Sequence, residues 1–132
     1  MACLDTNVVV RLIVGDEPAQ ARAAERLVAS ERCTVPASVL MECEWVLRAS
    51  YKLEPEVIAA SFRDLLALEN LDAQDPVLTD VALAGYETGL DFADALHAAQ
   101  RREGEDFATF DKHFARRAAK AGVRGVKLLR PS

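Results

Sequence analysis

Short strand-like runs alternate with longer stretches of helical periodicity along all 132 residues, and this alternation constrains the fold more than any other feature. Strands joined through helices rather than through tight turns run parallel, because a parallel pair needs a long crossover. The runs are Met1–Leu4, Cys33–Val35, Asp106–Thr109 and Val126–Leu129, with a marginal one at Asn70–Ala73. Between them the spacing predicts helices over Thr6–Val14, closed by Gly15, and over Pro18–Ser30 and Ser38–Tyr51. Further helices are predicted over Pro55–Leu68, from Asp75-Pro76 to near Gly89, over Asp91–Glu103 with Gly104 as its stop, and over Lys112–Ala121 before Gly122. Pro at a first helical position and Gly just past a last one are what these boundaries require. The expectation is an α/β fold, a parallel sheet covered by helices on both faces.

Within the third helix Val39, Cys43, Val46 and Ser50 recur at helical spacing, Leu40 and Leu47 widen the apolar stripe, and Glu42 and Glu44 flank it on opposite sides. Ile58, Phe62, Leu65 and Leu66 share one face of the next helix, so Ser38 to Leu68 reads as a protruding helical hairpin with surface to offer a partner. No repeat or linker interrupts the order, and the expectation is one domain over residues 1–132 with one core.

No stretch approaches the roughly 20 apolar residues of a membrane span, and the N-terminus lacks a signal peptide's basic region and apolar run. A cytoplasmic protein with no membrane role is expected. Cys3, Cys33 and Cys43 are odd in number, scattered and set in apolar surroundings. They read as small buried thiols, and no zinc is implied.

The net charge of −5 conceals a strong asymmetry: residues 1–111 carry nine basic and twenty-one acidic side chains, net −12, whereas everything after Asp111 is net +7. A basic segment behind an acidic body suits a face that holds phosphates. It also suits a solvated helix face whose cations sit toward its C-terminus.

Four acids, Asp5, Glu42, Asp94 and Asp111, stand where a strand exit or a helix start can aim them at one place. Each has a purely structural alternative. Asp5 and Asp111 suit N-caps, Asp94 follows Asp91 as in a capping box, and Glu42 suits a charged helix flank. Asp5 and Asp111 each leave a predicted parallel strand at its carboxyl end, where ligands of open α/β sheets bind. Ionised carboxylates gathered in one crevice repel, so their pKa values rise or a cation sits among them. Oxygen donors without a His or Cys cluster select Mg2+ or Mn2+ rather than zinc. Such ions bind phosphates and activate water, which suggests metal-dependent cleavage of a phosphodiester.

Leu4-Asp5-Thr6-Asn7, Glu42-Cys-Glu-Trp-Val-Leu47, Asp91-Phe-Ala-Asp94-Ala-Leu-His97 and Thr109-Phe-Asp111, four motifs in order across the chain, resemble a PIN-domain ribonuclease, most closely a VapC-type toxin of a toxin–antitoxin pair. The resemblance implies a three-layer α/β/α fold, endonucleolytic cleavage of RNA, one or two Mg2+ or Mn2+ ions, homodimerisation and an antitoxin that blocks the site. It assigns Asp5, Glu42, Asp94 and Asp111 to the metal-binding quartet and Thr6, Asn7 and Thr109 to supporting polar positions. Glu42, three residues before Trp45, is the family position and Glu44 is not. Asp91 is read as an N-cap, His97 is given no role, and Trp45 and Tyr51 are of a type that stacks on bases. Lys112, Arg116, Arg117 and Lys120 are the candidates for holding RNA. Two rivals remain, a phosphoesterase acting on small molecules and a non-catalytic binding module stabilised by a cation. The absence of a Gly-rich phosphate loop disfavours a nucleotide-binding version of the first.

Overall fold

Leu4 is the first side chain of the sequence to be withdrawn from solvent, at 2% exposure, and it stands just beyond a strand of only two residues. The computed structural model describes residues 1–132, which divide into two compact units, Met1–Pro76 and Val77–Ser132.

The first unit runs β1 (Ala2–Cys3), α1 (Thr6–Val14), α2 (Pro18–Ser30), β2 (Cys33–Val35), α3 (Ala37–Ala49), α4 (Pro55–Leu66) and β3 (Leu71–Ala73). Its sheet has the order β1-β2-β3 and is parallel throughout, with Cys33 opposite both Ala2 and Leu71. Each crossover is a pair of helices, which supplies the length that a parallel connection demands. In the central strand Cys33 and Val35 are fully buried on either side of half-buried Thr34. Cys3 departs from the expectation of buried thiols and is exposed. Leu4, the next residue in the alternation, takes the inward position instead.

Local chemistry fixes the helix ends. Gly15 closes α1 in the left-handed conformation, φ 69°, and donates its N–H to the Arg11 carbonyl, a cap that any Cβ would strain. The Arg11 guanidinium donates to Gln20 Oε1 at 2.8 Å, Asp16 Oδ1 at 3.1 Å and Tyr51 Oη at 3.3 Å, while the Tyr51 hydroxyl donates to Asp16 Oδ2 at 2.7 Å. This network ties the α1–α2 turn to the α3–α4 connection and occupies the hydroxyl of Tyr51, one of the two candidate stacking residues. The α3–α4 hairpin forms as expected, and its inner face is anchored: Leu40, Cys43, Leu47, Ile58 and Phe62 are fully buried.

The second unit contains α5 (Pro76–Glu87, its first residue at the boundary), α6 (Phe92–Ala99), β4 (Phe107–Thr109), α7 (Lys112–Lys120) and β5 (Val126–Leu128). Strands β4 and β5 form a separate parallel ladder, Phe107 opposite Val126 and Thr109 opposite Leu128. Leu90, Ala95, Ala98, Phe114 and Ala118 form a core against which Phe107, Val123 and Val126 pack. The Phe107 and Phe114 rings meet edge to face at 6.1 Å.

Helix α6 stops at Ala99, four residues short of the Glu103 that periodicity suggests. The cause is a competing set of hydrogen bonds. Arg101 donates from Nε to the Arg124 carbonyl at 3.1 Å and from its terminal nitrogen to the Glu105 carbonyl at 2.9 Å. Glu105 in turn accepts the Arg102 N–H at 2.7 Å. Gly125, at φ 80°, lies so close to this guanidinium that a Cβ there would collide with it.

The Thr79 hydroxyl, on α5, is buried and has no hydrogen-bond partner. A buried unpaired hydroxyl costs about 1–3 kcal/mol, and valine keeps its shape. Thr79→Val is therefore expected to stabilise the protein by about 1 kcal/mol in urea unfolding. A loss of stability would mean that the hydroxyl is paired in solution.

Candidate metal centre

Each unit holds part of the predicted acid set, and in each the backbone fixes where the carboxylates stand. In the first unit Asp5 follows β1 with extended backbone, φ −82° and ψ 163°, and occupies the N-cap of α1. Its Oδ1 accepts the Thr6 N–H at 2.8 Å, and the side chain remains exposed, as does that of Asn7 in the same turn. Capping and ligand binding are compatible here, because Oδ2 takes no part in the cap.

Glu42 is exposed on α3. Cys43, beside it, is fully buried with Sγ 3.7 Å from the Thr6 carbonyl. Its thiol is pushed up to about 12, first by burial and then by the negative charges of Glu42 and Asp5. Both carboxylates thus act on a single buried atom, which puts them in one neighbourhood of this unit. The donors that Asp5 and Glu42 present are oxygens.

Glu44 is not on a flank of the apolar stripe. It lies within it, 4% exposed among Leu40, Cys43 and Leu47. Its two oxygens accept from the Arg48 guanidinium at 2.8 Å and 3.3 Å, a bidentate pair one helical turn apart that explains how a carboxylate is tolerated there. Trp45, by contrast, is 58% exposed.

In the second unit Asp91 caps α6, its Oδ1 accepting the Asp94 N–H at 3.0 Å. The N-cap role expected of Asp91 is therefore observed. Asp94 is half-buried in the first turn of α6, and its carboxyl titrates above the usual Asp range. Burial is the largest cause, followed by the charges of Asp91 and Asp111, while His97 acts in the opposite sense. Asp111 caps α7, its Oδ1 accepting the Phe114 N–H at 2.9 Å, and its own N–H donates to Thr109 Oγ1 at 3.0 Å. Thr109 thus orients the backbone of Asp111. What the sequence reading missed is the charge that Asp91 adds beside Asp94, although the three-residue spacing that marks the cap also forces that proximity.

Neither unit gathers three or more His, Cys, Asp or Glu side chains into a ready-made cation cage. The donor chemistry nonetheless fits a hard divalent cation: the carboxylates are oxygen donors, partly desolvated in the case of Asp94, and mutually repulsive. The basic candidates divide. Arg117 is engaged, donating to the Gly89 carbonyl at 2.9 Å. Lys112, Arg116 and Lys120 are exposed along α7 at intervals of four residues, on one flank of the helix.

The raised Asp94 titration has a consequence for stability. A carboxyl whose folded pKa lies above its unfolded value keeps its proton longer in the native state, so stability falls as pH rises from the ordinary Asp range through the raised value. Asp94→Asn removes this penalty. In chelator at about pH 7 the variant is expected to melt a few degrees higher than wild type, and the difference should vanish near pH 3, where both states are protonated. A lower melting temperature at neutral pH would contradict the repulsion.

The sequence profile of the PIN domain family matches residues 2–120, running through both units. No curated protein sequence matches the chain.

Proposed function

The chain belongs to the PIN-domain family, whose members are generally metal-dependent nucleases, and from that premise we propose that it is an Mg2+- or Mn2+-dependent endoribonuclease. In this reading Asp5, Glu42, Asp94 and Asp111 act together as the metal ligands, Thr6, Asn7 and Thr109 support them, and the protein is the toxin of a toxin–antitoxin pair. A homodimer in the cytoplasm, silenced by its antitoxin, is part of the same reading. The observation that carries it is that Asp5 and Asp111 stand beyond the carboxyl ends of parallel strands, each held by one oxygen in an N-cap and free at the other.

When bound, the divalent ion supplies activation of water and an offset to charge developing on the phosphate. The chain's own residues do the rest. The caps on Asp5 and Asp111 hold the carboxylates without reorganisation, and the Thr109 hydroxyl fixes the backbone from which Asp111 projects. Lys112, Arg116 and Lys120 hold RNA phosphates, and Arg117 steadies the helix through Gly89.

Purified protein incubated with RNA, with and without chelator, tests the reading. Cleavage is expected in Mg2+ or Mn2+ and none in chelator, and either ion should raise the melting temperature by mass action. A small-molecule phosphoesterase would leave RNA intact, and a binding module would cut nothing.

Two substitutions on α3 and one at the α1 cap sharpen the test. Glu42→Gln and Asp5→Asn are expected to abolish or greatly reduce cleavage with the fold intact. Glu44→Gln should leave cleavage within a few-fold, because Glu44 is committed to Arg48. Equal losses at Glu42 and Glu44 would remove Glu42 from the site.

Arg116→Ala is expected to weaken RNA binding and flatten its log–log salt dependence by roughly 0.7, the counterion release of one single-strand phosphate contact. An unchanged slope would make the basic flank of α7 a solvated surface.

A further inference from the structure

Of the five phenylalanines in the sequence, Phe62, Phe92 and Phe114 are buried and Phe107 packs against the second unit's core. Phe110 does neither, at 64% exposure. Its position is rigid all the same. On one side Thr109 is held in the β4–β5 ladder and its carbonyl accepts the Leu129 N–H at 2.7 Å. On the other side Asp111 is fixed by the Thr109 hydroxyl at 3.0 Å and by its cap on Phe114 at 2.9 Å. Phe110 is therefore a single residue stretched between a strand and a helix cap. Its ring is presented to solvent by a backbone with no slack.

The charge around it selects the partner. Lys112, Arg116 and Lys120 follow at four-residue intervals, so their side chains descend one flank of α7 over about 12 Å. Lys112 sits in the first turn, where the helix dipole disfavours a cation and the only acid is the Asp111 N-cap before it. Arg117 and Lys120 in the last turn suit the dipole, whereas Lys112 does not. A polyanion running along this flank pairs with all three cations. An aromatic face followed by a cation at every turn matches a strand whose bases stack and whose phosphates pair. In a duplex both base faces are already covered by neighbours, so only an unpaired nucleotide can use the ring.

We propose that Phe110, which directly precedes Asp111 and the cations of α7, is a stacking platform for an unpaired base of the RNA. This rests on the endoribonuclease reading. The ring positions the substrate and takes no part in the chemistry.

The test uses the full chain in chelator, so that nothing is cut, and an unstructured oligoribonucleotide carrying 2-aminopurine. Phe110→Ala is expected to weaken binding about 5-fold to 150-fold, the range of one lost base–aromatic stack. Phe110→Trp should restore affinity, and Phe110→Leu, apolar but not aromatic, should not. The 2-aminopurine fluorescence should be quenched by wild type and not by Phe110→Ala, while the weak binding of a fully paired duplex should be the same for both. Wild-type affinity in Phe110→Ala, full rescue by Phe110→Leu, or loss of self-association in Phe110→Ala on size-exclusion chromatography would each overturn the proposal. Cleavage by wild type in Mg2+, run in parallel, separates the two readings: cutting that persists alongside unchanged binding in Phe110→Ala removes the platform and spares the endoribonuclease. Wild type that neither binds nor cuts RNA removes both.

Discussion

Repulsion between fixed carboxylates is the constraint on which this protein turns. In the second unit burial, and after it the charges of Asp91 and Asp111, push the Asp94 carboxyl up, and in the first burial, then Glu42 and Asp5, do the same to the Cys43 thiol. Asp5, Asp91 and Asp111 are held at helix caps, and Glu42 and Asp94 by the helices α3 and α6 in which they lie. The caps are therefore as much part of the site as the carboxylates. They stabilise helix starts that lack other partners, and in doing so fix acids where an unconstrained chain would separate them.

Alternatives that use the same features structurally are narrowed by how the features are deployed. An acid recruited only to cap a helix has no need of a second acid at its shoulder, yet Asp94 stands beside Asp91 and within reach of Asp111's charge. The opposite outcome is seen at Glu44, which is buried, neutralised bidentately by Arg48 and thereby withdrawn from any ligand. Two glutamates two residues apart on one helix thus have different fates because one faces the core and the other faces solvent.

Much of the fold was legible because it is written locally. The bounds of α1, α2 and β2 follow from Gly15, Pro18 and Pro36, residues whose backbone preferences act at their own positions. The Asp91 cap follows from a spacing of three. What was not legible depends on residues distant in sequence. The early end of α6 is set by Arg101 reaching the carbonyl of Arg124, and no window of helical periodicity contains that bond. Glu44 looked like a flank because a buried ion pair leaves no trace in a hydropathy pattern. Cys3 was taken for a core thiol because the alternation of a two-residue strand is too short to phase. The individual acids were visible in the sequence, while the choice of Glu42 over Glu44 came from family resemblance alone until burial supplied a physical reason.

The central claim of the proposed function is that the chain's carboxylates hold a divalent cation, and a Mn2+ titration of the full chain, followed by loss of the free-ion electron paramagnetic resonance signal, tests it most directly. Wild type is expected to bind Mn2+ saturably, and Asp5→Asn and Asp94→Asn should each abolish that binding. Unchanged Mn2+ binding in either variant would contradict the account.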